Sequence, residues 1–159
     1  MGAVNISVPK SLNINTTHNG HWLFNKQMGD GEGFVYFVRD PILCKLYLGK
    51  KQYRVSRGKN KGAESNWKKY ISSSNYLKTM FANRPKDEFD FICLEEYHTK
   101  GSLRYAETWS LCMTDALLSE DWLNGRIEEI TWKVKEPVST LHKKRLNLVL
   151  DWVDRALFL

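Results

Sequence analysis

The chain has 159 residues, of which 42% are hydrophobic, and a formal net charge of +6. That is enough apolar material for one domain with a real core and too little length for two ordinary ones, and it argues against disorder. Three cysteines, Cys44, Cys93 and Cys112, are odd in number, lack Cys-x-x-Cys spacing and sit in apolar runs, which reads as reduced core thiols rather than a disulfide framework or a zinc site. No charged-then-apolar leader opens the chain, and no apolar run approaches the roughly 20 residues that cross a bilayer, so the expectation is a soluble, cytoplasmic protein without a membrane partner.

Residues 1–32 are polar and rich in Asn and Gly, ending in Gly29-Asp30-Gly31-Glu32, and read as an N-terminal arm or loosely packed lead-in. Its apolar side chains, Trp22, Leu23 and Phe24 among them, suffice to dock on the domain, while His18 and His21 read as bystanders rather than metal ligands. Residues 34–39 and 44–49 are rich in aromatic and β-branched residues, with Asp40-Pro41 as a turn signal, and predict a β-hairpin. Alternation puts Tyr36 on a face with Phe34 and Val38, and Tyr47 on a face with Lys45 and Gly49; register decides whether the two phenols converge.

Residues 45–70 hold seven lysines and two arginines against one acid, Glu64, a local charge of +8. A block this dense attracts a polyanion, and its Tyr53, Trp67 and Tyr70 are aromatics able to stack on or pack beside a nucleotide. Arg54 to Tyr70 reads as a basic connection passing into a helix near residues 63–71. Ser72-Ser73-Ser74-Asn75 then offers an N-cap for a helix through Phe81, which Arg84-Pro85 closes. Residues 89–96 alternate as a third strand, with Phe89, Phe91 and Cys93 on one face and Ile92 and Leu94 on the other, and this two-sided pattern predicts a central position. A helix from about Leu103 to Leu118 carries an apolar side of Leu103, Ala106, Cys112, Met113, Ala116 and Leu117. Glu107, one turn from Leu103 and from Leu111, borders that side. Residues 130–134 read as a short strand, and residues 139–157 as a helix whose stripe of Leu146, Val149, Leu150, Val153, Ala156 and Leu157 suits docking on the domain or pairing with a protein partner, including a second copy of the chain.

Phosphodiester hydrolysis needs a base or metal-bound hydroxide, a divalent ion and a cation at the non-bridging oxygens. A carboxylate edging a helix, Glu107, suits a hard cation held through oxygen; Lys50 or Arg57 beside a tyrosine would lower the phenol's pKa; arginine's planar fork suits phosphate.

The order of these residues resembles the GIY-YIG nucleases, metal-dependent DNA-cleaving domains. Phe34-Val35-Tyr36 stands for the first motif, with phenylalanine in place of its glycine, and Tyr47-Leu48-Gly49 stands for the second, eleven residues on. An arginine about ten residues beyond selects Arg57 over Arg54, and Tyr70 fits the next hallmark, with Tyr53 as the other candidate. The histidine that many members carry after the arginine is absent, with Lys61 near that offset. Glu107 on a helix after a strand matches the third motif, and Asn124 completes the pattern. The resemblance implies an α+β domain over 33–127 with a small three-stranded antiparallel sheet flanked by helices, extended by residues 128–159. It implies catalytic roles for Tyr36, Tyr47, Arg57, Tyr70, Glu107 and Asn124, with Mg²⁺ (or Mn²⁺) on Glu107. DNA would be held by Lys50, Lys51, Arg54, Lys59, Lys61, Lys68 and Lys69. Gly49-Lys50-Lys51-Gln52, followed by Ser65-Asn66-Trp67-Lys68-Lys69-Tyr70 and Ser72-Ser73, is similar to small phage-encoded members, which would place the protein in a host cytoplasm. The alternatives are a non-catalytic nucleic-acid-binding module that keeps the fold, and an accessory protein whose C-terminal stripe binds a partner.

Overall fold

A computed structural model describes residues 17–127 and 136–158, with side chains through Trp152. Three strands, β1 (Gly33–Asp40), β2 (Lys45–Gln52) and β3 (Asp90–Tyr97), form an antiparallel sheet in the order β2-β1-β3. Three α-helices accompany them among the described residues: α1 (Asn75–Asn83), α2 (Lys100–Met113) and α3 (Thr140–Phe158). The expected α+β class and the strands at 34–39, 44–49 and 89–96 are borne out. The expected strand at 130–134 lies outside the described residues.

The central strand is β1, not β3, and all eight of its residues are buried. The two-sided apolar pattern of β3 has another cause: both sheet faces are covered. Val35, Phe37, Leu48, Ile92 and Leu94 pack on one face with Leu103, Ala106 and Leu111 of α2 and Leu146, Val149 and Trp152 of α3. Phe34, Tyr36, Val38, Phe91 and Cys93 pack on the other with Leu77 of α1, Trp22, Phe24 and Trp67. A strand covered on both sides looks central in sequence wherever it stands in the sheet. The outer side of β3 is also partly paired, because Leu23 runs parallel to it and exchanges backbone hydrogen bonds with Phe91 and Cys93.

That pairing makes residues 17–28 part of the core rather than a loosely packed lead-in. Trp22 and Phe24 are fully buried, and the Trp22 indole donates to the Trp67 carbonyl at 2.7 Å. The hairpin turn is held by Asp40, whose Oδ1 accepts from the amides of Ile42 and Leu43 and whose carboxylate is gripped by the Arg84 fork at 2.7 and 3.0 Å.

Two helices differ from the expected ones. Residues 63–66 form the return arm of a small ribbon and give way to a 3-10 turn at Trp67–Lys69, because the amides of Val55 and Ser65 pair across residues 53–63 instead of along a helix. Helix α2 starts at Lys100, after a Thr99 side-chain cap on Ser102, and ends at Met113. Its buried stripe is Leu103, Ala106, Ser110 and Leu111, and a 3.6-residue period carries Cys112 and Met113 to the exposed side. Cys112 is therefore not a core thiol, while Cys93 is buried and Cys44 half-buried; all three are free.

Candidate active site

Strand β2 is an edge of the three-stranded sheet, and a cleft of about 970 Å³ lies over it. Alternation sends Tyr47, Gly49 and Lys51 to one face of this strand and Lys50 to the other. The cleft thus gathers Tyr36 and Tyr47 from one side of the sheet and Glu107 of α2 from the other.

Register settles the convergence of the phenols. Tyr36 lies opposite Gly49, and Val38 lies opposite Tyr47, so both tyrosines project from one face with ring centroids 6.1 Å apart. Gly49 is the reason this works. A Cβ there would stand 2.6 Å from the Tyr36 hydroxyl oxygen, 2.8 Å from its Cζ and 3.0 Å from Tyr47 Cε1. The motif glycine is therefore a space requirement: two rings cross where its side chain would be.

Tyr70 and Ser73 close in on the two tyrosines. Tyr36 is buried, and the Tyr70 ring lies 6.1 Å away and nearly perpendicular. The Tyr47 hydroxyl meets Ser73 Oγ at 2.6 Å. Tyr70 is held from behind by His21, whose Nε2 hydrogen-bonds the Tyr70 carbonyl at 2.8 Å while its ring stacks on Phe91. A carbonyl only accepts, so Nε2 carries the proton. Burial, then the charge of Lys86, lowers the His21 pKa to about 4, so the imidazole is neutral at pH 7. His21 is thus a support for the tyrosine cluster rather than a bystander.

The expectation that neighbouring cations lower the tyrosine pKa is overturned for Tyr36. Burial raises it well above its usual value, and Tyr47, Tyr70 and Glu107 add to the rise. Burial also raises Tyr70. Tyr36 is therefore a neutral phenol, not a phenolate awaiting a proton.

Glu107 borders the buried face as its spacing indicates. Its carboxylate is 14% exposed, and Lys50 Nζ stands 2.5 Å from Oε2. Lys51 points to the opposite face, with its ammonium 4.1 Å from the centre of the Tyr70 ring, and burial lowers its pKa. Lys50 and Lys51 thus have partners inside the cleft, unlike a solvated charge run.

Asn124 is spent on backbone. Its Oδ1 accepts from the Leu48 amide at 3.0 Å and its Nδ2 donates to the Leu48 carbonyl at 2.6 Å. With the bonds between Leu46 and residues Asp121 and Leu123, this completes a short parallel pairing along the outside of β2. Asn124 lines the cleft while holding its floor in place.

Of the two arginines, the structure brings Arg54 to the cleft and leaves Arg57 outside, exposed at a ribbon tip. The ten-residue offset assumed a helix following soon after β2, but residues 53–65 fold as a ribbon and move Arg57 away. The Arg54 guanidinium donates to the Gly62 carbonyl at 3.0 Å. Lys59, Lys61 and Lys69 are exposed; Lys68 lies 3.9 Å from Glu64 and against the Trp67 ring. Sequence reasoning missed Ser73 and His21, whose signals are only a helix-cap serine run and a histidine beside Trp22, since their partners are distant in the chain.

Residues 16–127 match the family model described as "Putative endonuclease segE, GIY-YIG domain". The chain belongs to the GIY-YIG nuclease superfamily. The three-stranded sheet with its helices is the GIY-YIG fold. The matched region starts before residue 33, in keeping with the burial of Trp22 and Phe24, and stops short of α3. No curated protein and no solved structure matches the chain. Membership supports nuclease function with DNA as substrate. None of the described helices is long and apolar enough to cross a membrane.

Proposed function

We propose that this GIY-YIG domain is a metal-dependent DNA endonuclease hydrolysing phosphodiester bonds. The observation that carries the reading is the meeting of Tyr36, Tyr47, Lys50, Arg54 and Glu107 on one cleft that straddles the β2 edge. Each comes from a different stretch or face, and core packing alone gives no reason for them to converge.

Among the described residues no group of three or more His, Cys, Asp or Glu side chains is placed to cage a metal. A single carboxylate in an open cleft suits Mg²⁺ or Mn²⁺, ions that keep much of their water and are commonly held by one or two carboxylates plus phosphate oxygens. Glu107 would hold the ion, which when bound supplies charge neutralisation at the phosphate and a more acidic water. Lys50 then exchanges Glu107 for a non-bridging phosphate oxygen, keeping its ammonium on the developing negative charge. Arg54, on the cleft wall, offers its planar fork to the same phosphate. Tyr47, with its hydroxyl toward the mouth and fixed by Ser73, orients the attacking water; Tyr36, buried and protonated, packs against the rings of Tyr47 and Tyr70 and keeps them in place. Asn124 and Gly49 position these groups and take no part in bond making. The likeness of residues 49–52, 65–70 and 72–73 to small phage-encoded members supports a phage gene whose product acts in host cytoplasm.

The test is plasmid nicking by the purified chain with Mg²⁺, with Mn²⁺ and with EDTA. Nicking that requires the ion and is lost in Glu107→Ala supports the reading. Salt-sensitive DNA binding with no nicking under any ion would return the protein to the class of non-catalytic binding modules.

A further inference from the structure

The segment 53–65 leaves the end of β2, projects from the domain and returns. Ser65 N bonds Tyr53 O at 2.7 Å, Val55 N bonds Ala63 O at 2.9 Å, and Gly62 N bonds Val55 O at 2.9 Å, with Arg54 and Glu64 as an antiparallel bridge. It is a two-stranded ribbon. The turn is closed by Lys61 N to Gly58 O and Ala63 N to Asn60 O, and it needs its glycines: Gly58 and Gly62 have φ of 81° and 88°. A Cβ added at either glycine would meet nothing within 4 Å, so the tip stands clear of the domain. Its arms, through Arg54, Val55, Ser56, Glu64 and Ser65, form one wall of the cleft. A polymer lying in the cleft would lie against these arms.

The tip reads Arg57-Gly58-Lys59-Asn60-Lys61-Gly62, exposed throughout. A bare electrostatic clamp would need only the three cations, since phosphates are indifferent to the donor. Arginine and asparagine are also the side chains that pair bidentately with guanine O6/N7 and adenine N6/N7 in the major groove. Dimensions choose the groove. Paired strands stand about 4.8 Å apart before their side chains are counted, so a ribbon fits a groove roughly 12 Å wide and not one of roughly 6 Å.

We propose that the 54–64 ribbon enters the major groove of duplex DNA beside the cleavage site and reads bases there, Arg57 a guanine and Asn60 an adenine, while Lys59 and Lys61 grip the flanking phosphates. The proposal rests on the nuclease reading for the course of the DNA, and it gives this small chain sequence preference from within its catalytic domain.

The test uses the full chain in EDTA, so that it reads binding whether or not cleavage occurs. Randomised duplexes retained by the protein are sequenced for wild type, Arg57→Ala, Asn60→Ala and the Lys59→Ala/Lys61→Ala pair. The expected result is a short base preference in the wild type, roughly 5- to 150-fold at a read position. Arg57→Ala should flatten its guanine position and Asn60→Ala its adenine position, whereas the lysine pair lowers retention evenly and makes the salt slope shallower by about two phosphate contacts. Replacing guanine by 7-deazaguanine should reproduce Arg57→Ala. No preference in the wild type, a preference unchanged in both single variants, or loss on removing the minor-groove amino group instead of N7 would each overturn the proposal. Failure to nick plasmid with Mg²⁺ would strike the nuclease reading and leave this result standing by itself. All substituted side chains are exposed, so folding is not at stake.

Discussion

Gly49→Ala tests the arrangement of the two tyrosines at its tightest point. The added methyl would lie 2.6 Å from the Tyr36 hydroxyl oxygen and 2.8 Å from its Cζ, distances well inside van der Waals contact. Tyr36 is 1% exposed and has Trp22 and Phe34 packed around it, so its ring has nowhere to go without shifting β1 or opening the Tyr70 contact. Overpacking of this kind costs typically about 1–3 kcal/mol. For a chain of this length that is a fall in Tm of about 2–12 °C. Circular-dichroism melts measure it, and plasmid nicking at a temperature where the variant is folded should show an activity loss beyond the stability loss. The mechanism makes a second demand. Tyr36→Phe removes the nearest atom, so the double variant Gly49→Ala/Tyr36→Phe should be less destabilised than the sum of the singles, with partial relief because Cζ remains. An unchanged Tm in Gly49→Ala, or strict additivity in the double, would show that the glycine is not there to seat the tyrosines.

Glu107→Ala should abolish Mg²⁺-dependent nicking while its melting curve and its binding of DNA in EDTA stay near wild type, because the carboxylate faces the cleft; full activity would remove it from the site. Tyr36→Phe should cost on the order of 10²-fold in nicking rate, and because burial holds its pKa up, the wild-type pH–rate profile should show no step near or below pH 10 that Tyr36→Phe abolishes. Burial and Arg145 lower the pKa of His142, bonded to Tyr97 and Ser110 in the core, to about 3 from 6.5. A histidine depressed in the fold contributes stability that is present above pH 6.5 and lost as pH falls toward 3. Urea midpoints between pH 7 and 4 should therefore decline, and His142→Gln should make the slope shallower by up to about 1.4 kcal/mol per pH unit. Removing residues 140–159 should unfold or aggregate the domain although they lie outside the matched region, because Leu146, Val149 and Trp152 complete one sheet face; a soluble, cooperatively melting truncation would refute this.

The sheet was legible in the sequence because strand alternation and turn chemistry act over a few residues. Phe34 to Val38, Asp40-Pro41 and the two-sided run to Tyr97 name their elements without tertiary help. The order of Tyr36, Tyr47, Gly49 and Glu107 along the chain was enough to suggest the family, and the helical phase of Glu107 against Leu103 and Leu111 was enough to put it at the edge of the buried face. Strand order was not legible, since the pattern of β3 reports how many faces are covered, not how many neighbours it pairs with. Nor was the choice between Arg54 and Arg57, which depends on whether residues 63–66 coil into a helix or return along 53–55, and the backbone bonds from Val55 to Ala63 and from Ser65 to Tyr53 decide it. The protonation of Tyr36 was open to either direction until burial could be weighed against cations, and in the fold burial prevails. Asn124 on Leu48 and His21 behind Tyr70 join residues 76 and 49 positions apart. Sequence determined which groups were available to this site; only the packing of the two sheet faces decided which of them meet, and in what protonation state.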